Sequence, residues 1–142
     1  MHIIPFKPEH LENISLQPAQ MVFSQYFDPA YGPALMQGGP CFTGVHDGRI
    51  VGCSGVVKQW DNRAVAWALL SDHSGKHFPR IHKAIMRFLD TVDFKRVEAF
   101  VDADFEQGHR WIQMLGFLPE GHMRSFTPQG KDAVLYARIK NG

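Results

Sequence analysis

Two sets of residues in this chain have the types and spacing that chemistry needs. The first is Ser74-Gly75-Lys76-His77, followed by Pro79 and Arg80, at the head of a strongly amphipathic segment. A helix start offers free backbone amides and the positive end of the helix dipole to an anion. Gly75 lets a ligand approach the backbone closely, and Pro79 lies near the first turn, where a missing N–H costs least. Lys76 and Arg80 add charge suited to a pyrophosphate or a ribose phosphate. A plain helix start, with Ser74 as its cap and a basic solvated face, is the other reading of the same residues. The second set handles protons. His73 stands just past an apolar strand and titrates near neutrality, as a base should. Glu98 sits on a later strand, pointing opposite to Val97 and Ala99. A surface-loop histidine and a solvated strand carboxylate are the alternatives. Tyr136 and Cys53 read as packing residues, Cys53 as a small hydrophobe among small neighbours.

Other chemistries fail on spacing. His73 and His77 lie four apart, but Ser74-Gly75-Lys76 replaces the glutamate of a zinc helix. Cys41, His46 and Cys53 lack the close pairing of a zinc site. Gly75-Lys76 lacks the earlier glycine and the following Ser/Thr of a phosphate-binding P-loop, and no hydrolase elbow is present. Lys76, Arg80, Lys83 and Arg87 share one helix face with aromatics nearby. The net charge of +1 over 142 residues nevertheless argues against dedicated nucleic-acid binding. No apolar run approaches the ~20 residues of a membrane span, and the first ten residues lack the pattern of a signal peptide.

Positioning falls to one domain, residues 1–142, with 44% hydrophobic and 20% charged residues. His2 to Phe6 reads as a strand, PEHLENI as a short helix, and QPAQMVFSQYF as a second helix with Met21, Val22 and Tyr26 on one face. DPAYGPALMQGGP, with three Pro and three Gly, reads as loop. CFTGVH and RIVGCSGVV flank Asp47-Gly48, a type I′ hairpin signal. Gly44, Gly52 and Gly55 suggest bulges or close backbone approach. A two-residue turn there puts Phe42 opposite Cys53, so Cys41 and Cys53 fall on opposite faces. No disulfide is then expected, and the setting is a reducing cytoplasm. RAVAWALLS, apolar on both faces, reads as a central strand. In the next helix Phe78, Ile81, Ile85, Phe88, Leu89 and Val92 form an apolar stripe. KRVEAFVDA is a fifth strand and FEQGHRWIQML a last helix, and FLPEGHMRSF and DAVLYARI are closing strands. The exposed last strand offers an edge to a second copy. Trp60, Trp67 and Trp111 read as buried aromatics.

This order, β-α-α-β-β-β-α-β-α-β-β, resembles the GNAT superfamily of N-acetyltransferases: an α/β fold with a mixed, mostly antiparallel sheet flanked by helices. The likeness is sharpest in DGRIVGCSGVV, in WALLSDHSGKHFPRIHKAI and in FEQGHRWIQMLGFLPEG. It implies an N-acetyltransferase with acetyl-CoA as acyl donor and an amine of a protein or small molecule as acceptor. The donor would lie in the splay between the fourth and fifth strands, and the acceptor would enter from the loop 28–40. Leu70, Ser71, Ser74, Gly75, Lys76, His77 and Arg80 would bind the cofactor, and His73 or Glu98 would act in catalysis. The chain departs from the family pattern in three places. Of the loop Gln/Arg-x-x-Gly-x-Gly/Ala only Gly75 matches, and Asp72 puts a negative charge beside an anion site. The fourth strand has no glutamate. Ile112 stands four before Gly116, where the family has tyrosine. The chain also resembles the short GNAT-like proteins of tailed phages and prophages. That implies an alternative role: an inactive binding or virion-associated component, in the host cytoplasm or the virion, with a homodimer or virion protein as partner.

Overall fold

A computed structural model describes residues 1–18, 20, 21 and 28–140. Most of the helix expected over residues 17–27 lies outside this set. The elements are β1 (His2–Pro5), α1 (His10–Asn13), α2 (Tyr31–Gly38), β2 (Cys41–His46), β3 (Arg49–Trp60) and β4 (Arg63–Leu70). A one-turn 3-10 helix (Gly75–His77) then leads into α3 (Phe78–Thr91), followed by β5 (Arg96–Asp102), α4 (Glu106–Met114), β6 (Leu118–Met123) and β7 (Ala133–Ile139). Seven strands form one mixed sheet in the order β1-β2-β3-β4-β5-β7-β6. β4 and β5 pair in parallel, whereas β1–β2, β2–β3, β5–β7 and β6–β7 pair antiparallel.

The order of element types matches the expected one, but α2 is not the predicted second helix. It forms where a loop was expected. Asp28 prepares it by accepting the Ala30 amide on its side chain at 2.8 Å and the Tyr31 amide on its carbonyl at 3.1 Å. Pro33 falls in the first turn, where no intrahelical N–H bond is lost. Gly32 is there for contact rather than flexibility: a Cβ on it would meet the Cβ of Pro8 at 2.8 Å.

Two compact units divide the chain: Met1–Lys58 with Ala66–Val92, and Gln59–Val65 with Asp93–Gly142. In the first, Phe6, Leu35, Ile50 and Cys53 form a core cluster against which Leu11, Ile14, Tyr31, Cys41, Val57 and Trp67 pack. Phe6 meets Trp67 edge-on at 5.4 Å. Phe42 projects to the opposite face and packs on Phe88 of α3 at 5.1 Å. Ile81, Ile85 and Leu89 are the buried residues of the α3 stripe.

The hairpin turn is as predicted, with positive φ at both Asp47 (51°) and Gly48 (73°). The register is not. Gly44 pairs with Gly52 but Val45 pairs with Ile50, so Val51 is an extra residue in β3 and Thr43, not Phe42, lies opposite Cys53. Cys41 pairs with Gly55, so Cys41 and Cys53 share a face and the same core cluster. Gly55 accommodates this crowding. A Cβ there would sit 2.7 Å from the Pro40 carbonyl and nearer still to the Cys41 side chain, whereas nothing lies within 4 Å of one on Gly75. Gly55→Ala is expected to lower stability by about 1–3 kcal/mol through overpacking. Gly75→Ala is expected to leave the urea midpoint almost unchanged, and equal midpoints for the two variants would contradict this packing.

In the second unit β7 lies between β5 and β6. The last strand is therefore interior and cannot serve as an edge for a second copy; β6 is the exposed edge. Gly116, at φ 91°, ends α4 in the Leu-Gly-Phe turn, with Leu115 and Phe117 buried on either side. Trp60 is exposed rather than buried, and the Arg63 guanidinium lies 4.7 Å over its ring.

Candidate functional site

β4 delivers the chain to the loop before α3, and the predicted anion-binding residues gather there. Ser71 and Ser74 are buried, Gly75, Lys76 and Arg80 are exposed, and Leu70 ends the strand. The Ser74 carbonyl accepts the His77 amide at 2.9 Å, and the Gly75 carbonyl accepts the Phe78 amide. No side chain caps either helix start, so Ser74 does not cap α3. Among the described residues, the Gly75 and Lys76 N–H groups donate to no backbone carbonyl. They belong to an uncapped turn whose neighbourhood includes the exposed Lys76 and Arg80. His77 is buried, its ring 4.5 Å from that of His46. Burial pushes its pKa down first, and His46, Lys76 and Arg80 push it further the same way. Lys76 and Arg80 thus set positive charge beside this turn.

The Asp72 carboxylate is a negative charge beside this turn, and it has hydrogen-bond partners of its own. Its carboxylate accepts the Ser15 hydroxyl at 3.0 Å and meets His73 Nδ1 at 3.2 Å. The His73 and Ser15 hydrogen bonds hold its pKa below the usual carboxylate range, and His73 and Arg49 charges add to this. Arg49 also approaches His73 Nδ1, at 3.4 Å. The shorter, charge-assisted contact to Asp72 assigns the ring proton to Nδ1. Among the described residues, His73 Nε2 is covered from solvent with no hydrogen-bond partner. A buried polar atom left without a partner costs about 1–3 kcal/mol. The Ser71 hydroxyl and the Trp67 indole N–H are also buried without a partner.

Glu98 is neither solvated nor available. It is 4% exposed and gripped by two guanidiniums: Arg63 at 2.6 and 2.8 Å, Arg96 at 2.7 Å. Arg96 continues to Glu120, one of its contacts being 3.2 Å. The Arg63 hydrogen bond above all, with help from Arg96, lowers the Glu98 pKa to about 2 against the opposing effect of burial. Such a carboxylate is too weak a base to take a proton from an amine near neutrality.

Sequence reasoning missed several contacts because their partners are distant in the chain. Tyr136, also buried, shares a 2.7 Å hydrogen bond with His109 Nδ1, and His109 Nε2–H donates to the Ala103 carbonyl at 3.0 Å. This pins α4 to β7. Thr43 lies between His10 Nδ1 (2.7 Å) and Cys53 Sγ (3.5 Å), and burial pushes the Cys53 thiol up to about 11. Cys53 is therefore a packed thiol, as expected of a small hydrophobe. Gln17 and Gln20 bond to the end of β4. No described helix is long and apolar enough to cross a membrane.

Three solved structures share this fold over nearly their whole length. Ard1 from Thermoplasma volcanium matches with a TM-score of 0.80 at 18% identity, over 99% of this chain and 98% of that one. An acetyltransferase of the GNAT family from Bacillus anthracis matches at 0.69 and 16% identity, over 96% and 93%. Ribosomal-protein-alanine N-acetyltransferase from Brucella melitensis matches at 0.70 and 11% identity, over 99% and 100%. No protein-family model and no curated protein matches the sequence. At these identities the likeness is one of fold, and the fold is that of the GNAT N-acetyltransferases.

Proposed function

We propose that the protein is an N-acyltransferase that draws its acyl group from acetyl-CoA and passes it to an amine. The observation that carries the reading is the uncapped, positive start of α3, set at the end of the central strand of a GNAT fold. The Gly75 and Lys76 amides and the Lys76 and Arg80 side chains suit a pyrophosphate. Ser74 and His77 hold the turn in shape through their backbone bond, and Leu70 and Ser71 fix where the strand ends. The donor supplies an activated thioester, which an unprotonated amine attacks with release of the thiol. The chain's tasks are to orient the two partners and to take the amine's proton. His73, oriented by Asp72, is the group proposed to accept it; Glu98 has no part in proton transfer. The acceptor is left open among amines of proteins and small molecules.

Binding is tested by calorimetry with acetyl-CoA, and turnover by thiol release with a peptide α-amine, a lysine peptide and a polyamine. Lys76→Glu is expected to weaken acetyl-CoA binding about tenfold to a hundredfold, since a charged hydrogen bond contributes roughly 1.5–3 kcal/mol. Unchanged affinity would remove the helix start from the site.

A further inference from the structure

Beyond Val65, β4 presents an edge that is already occupied from within the chain. Recorded pairing of β4 with β5 covers Arg63 to Val65, yet the strand continues to Leu70. Backbone groups alternate sides along a strand. The Ser71 N–H donates to Val51 of β3, so those of Ala68 and Leu70 face away from β3. They are not bare. The Gln20 side-chain amide donates to the Ala68 carbonyl at 2.7 Å and accepts the Leu70 N–H at 2.8 Å. A residue of a parallel neighbouring strand makes this same pair of bonds, to the carbonyl and the N–H of residues two apart. Gln20 thus takes the place of one peptide unit. Gln17 braces it: its side chain donates to Gln20 Oε1 at 3.1 Å and its backbone N–H to the Leu70 carbonyl at 2.9 Å. Leu16 bridges to Ser71, and the Ser15 carbonyl accepts the Asp72 amide at 2.7 Å. The clasp ends at the loop that opens the proposed anion site.

We propose that Gln20, braced by Gln17, is an autoinhibitory clasp on the edge of β4, which an extended ligand bearing secondary amides must displace. The proposal rests on the acyl-donor reading, because the pantetheine arm of CoA carries two secondary amides. Each amide offers the N–H and C=O that Gln20 now supplies. An adenine nucleotide lacks that arm and has no quarrel with the clasp. A side chain is easier to displace than a strand, since only its own rotamers need change. The free state therefore keeps the Ala68 and Leu70 groups satisfied, and the donor gains its bonds only by releasing Gln20. Affinity is reduced by the fraction of molecules with the clasp closed.

The test compares CoA with adenosine diphosphate on the full chain, using wild type, Gln20→Ala and Gln20→Glu. Gln20→Glu keeps the length of the side chain but sets a carboxylate against the Ala68 carbonyl. Both variants are expected to bind CoA about tenfold more tightly, the net worth of one to two hydrogen bonds, with adenosine diphosphate unchanged. Hydrogen exchange at the Leu70 amide of the free protein is expected to speed up in Gln20→Ala, which removes its acceptor, whereas Gln20→Glu keeps one. CoA affinity that is equal or weaker in both variants overturns the clasp while leaving the acyl-donor reading in place. Unchanged Leu70 exchange in Gln20→Ala overturns the clasp in the same way. No CoA binding by any of the three proteins overturns both readings together.

Discussion

Replacing Glu98 with alanine is expected to lower stability by about 3–5 kcal/mol, the usual consequence of removing one partner from a buried ion pair. The carboxylate is 4% exposed and sits between Arg63 and Arg96, so its loss leaves two guanidiniums facing each other around a void. The effect carries a pH signature. The Glu98 pKa is about 2 in the folded chain against an ordinary 4.5, so folding favours the ionised form. A group depressed in this way contributes stability that is complete above its unfolded pKa. That contribution is lost as pH falls from about 4.5 towards 2. A depression of this size corresponds to about 3 kcal/mol. Urea unfolding of wild type and Glu98→Ala at pH 7 and at pH 3 measures both quantities. The gap between the two proteins is expected to be wide at pH 7 and to narrow in acid. A gap below ~1 kcal/mol at pH 7, or one that does not narrow, would contradict the buried network.

His73→Ala is expected to reduce kcat about a hundredfold or more, the range in which a positioned base acts, while acetyl-CoA affinity changes little. The expectation follows from the covered Nε2 and from the contact of Nδ1 with the Asp72 carboxylate at 3.2 Å. Asp72→Asn is expected to cost less, since it loosens the ring without removing it. A histidine that only fills space would raise KM or lower stability and leave the pH dependence of kcat intact. Steady-state rates across pH 6–9 for wild type and both variants separate these outcomes. An unaltered kcat in His73→Ala would remove the residue from the chemistry.

Much of this architecture is written locally and was therefore legible. Asp47-Gly48 dictates its turn because both residues tolerate positive φ. The α3 stripe and the Leu115-Gly116-Phe117 turn are matters of spacing and of one left-handed residue. What escaped the sequence depends on contact. α2 was hidden because Gly32 and Pro33 signal a break in isolation, and only Pro8 explains the glycine. Gly44 and Gly52 signal a bulge and one stands beside them, but the consequence, that Val51 moves Cys53 to the face of Cys41, depends on which strand holds the extra residue. Glu98 looked solvated because Arg63, Arg96 and Glu120, which enclose it, come from three strands. The proposed anion-binding turn rests on residue types that can be read without the fold. The pairing of Asp72 with His73 and Ser15 required the fold.

The central claim is that the start of α3 holds the phosphates of an acyl-CoA. Thermal unfolding with and without acetyl-CoA, with adenosine diphosphate and Lys76→Glu as controls, tests it most directly. A ligand at ~100 times its dissociation constant stabilises the native state by about 2.7 kcal/mol, a rise of several degrees in Tm for a chain of this length. The account predicts that rise for acetyl-CoA with wild type, and a clearly smaller one with Lys76→Glu. An unchanged Tm at saturating acetyl-CoA would contradict it and leave a GNAT fold without its donor.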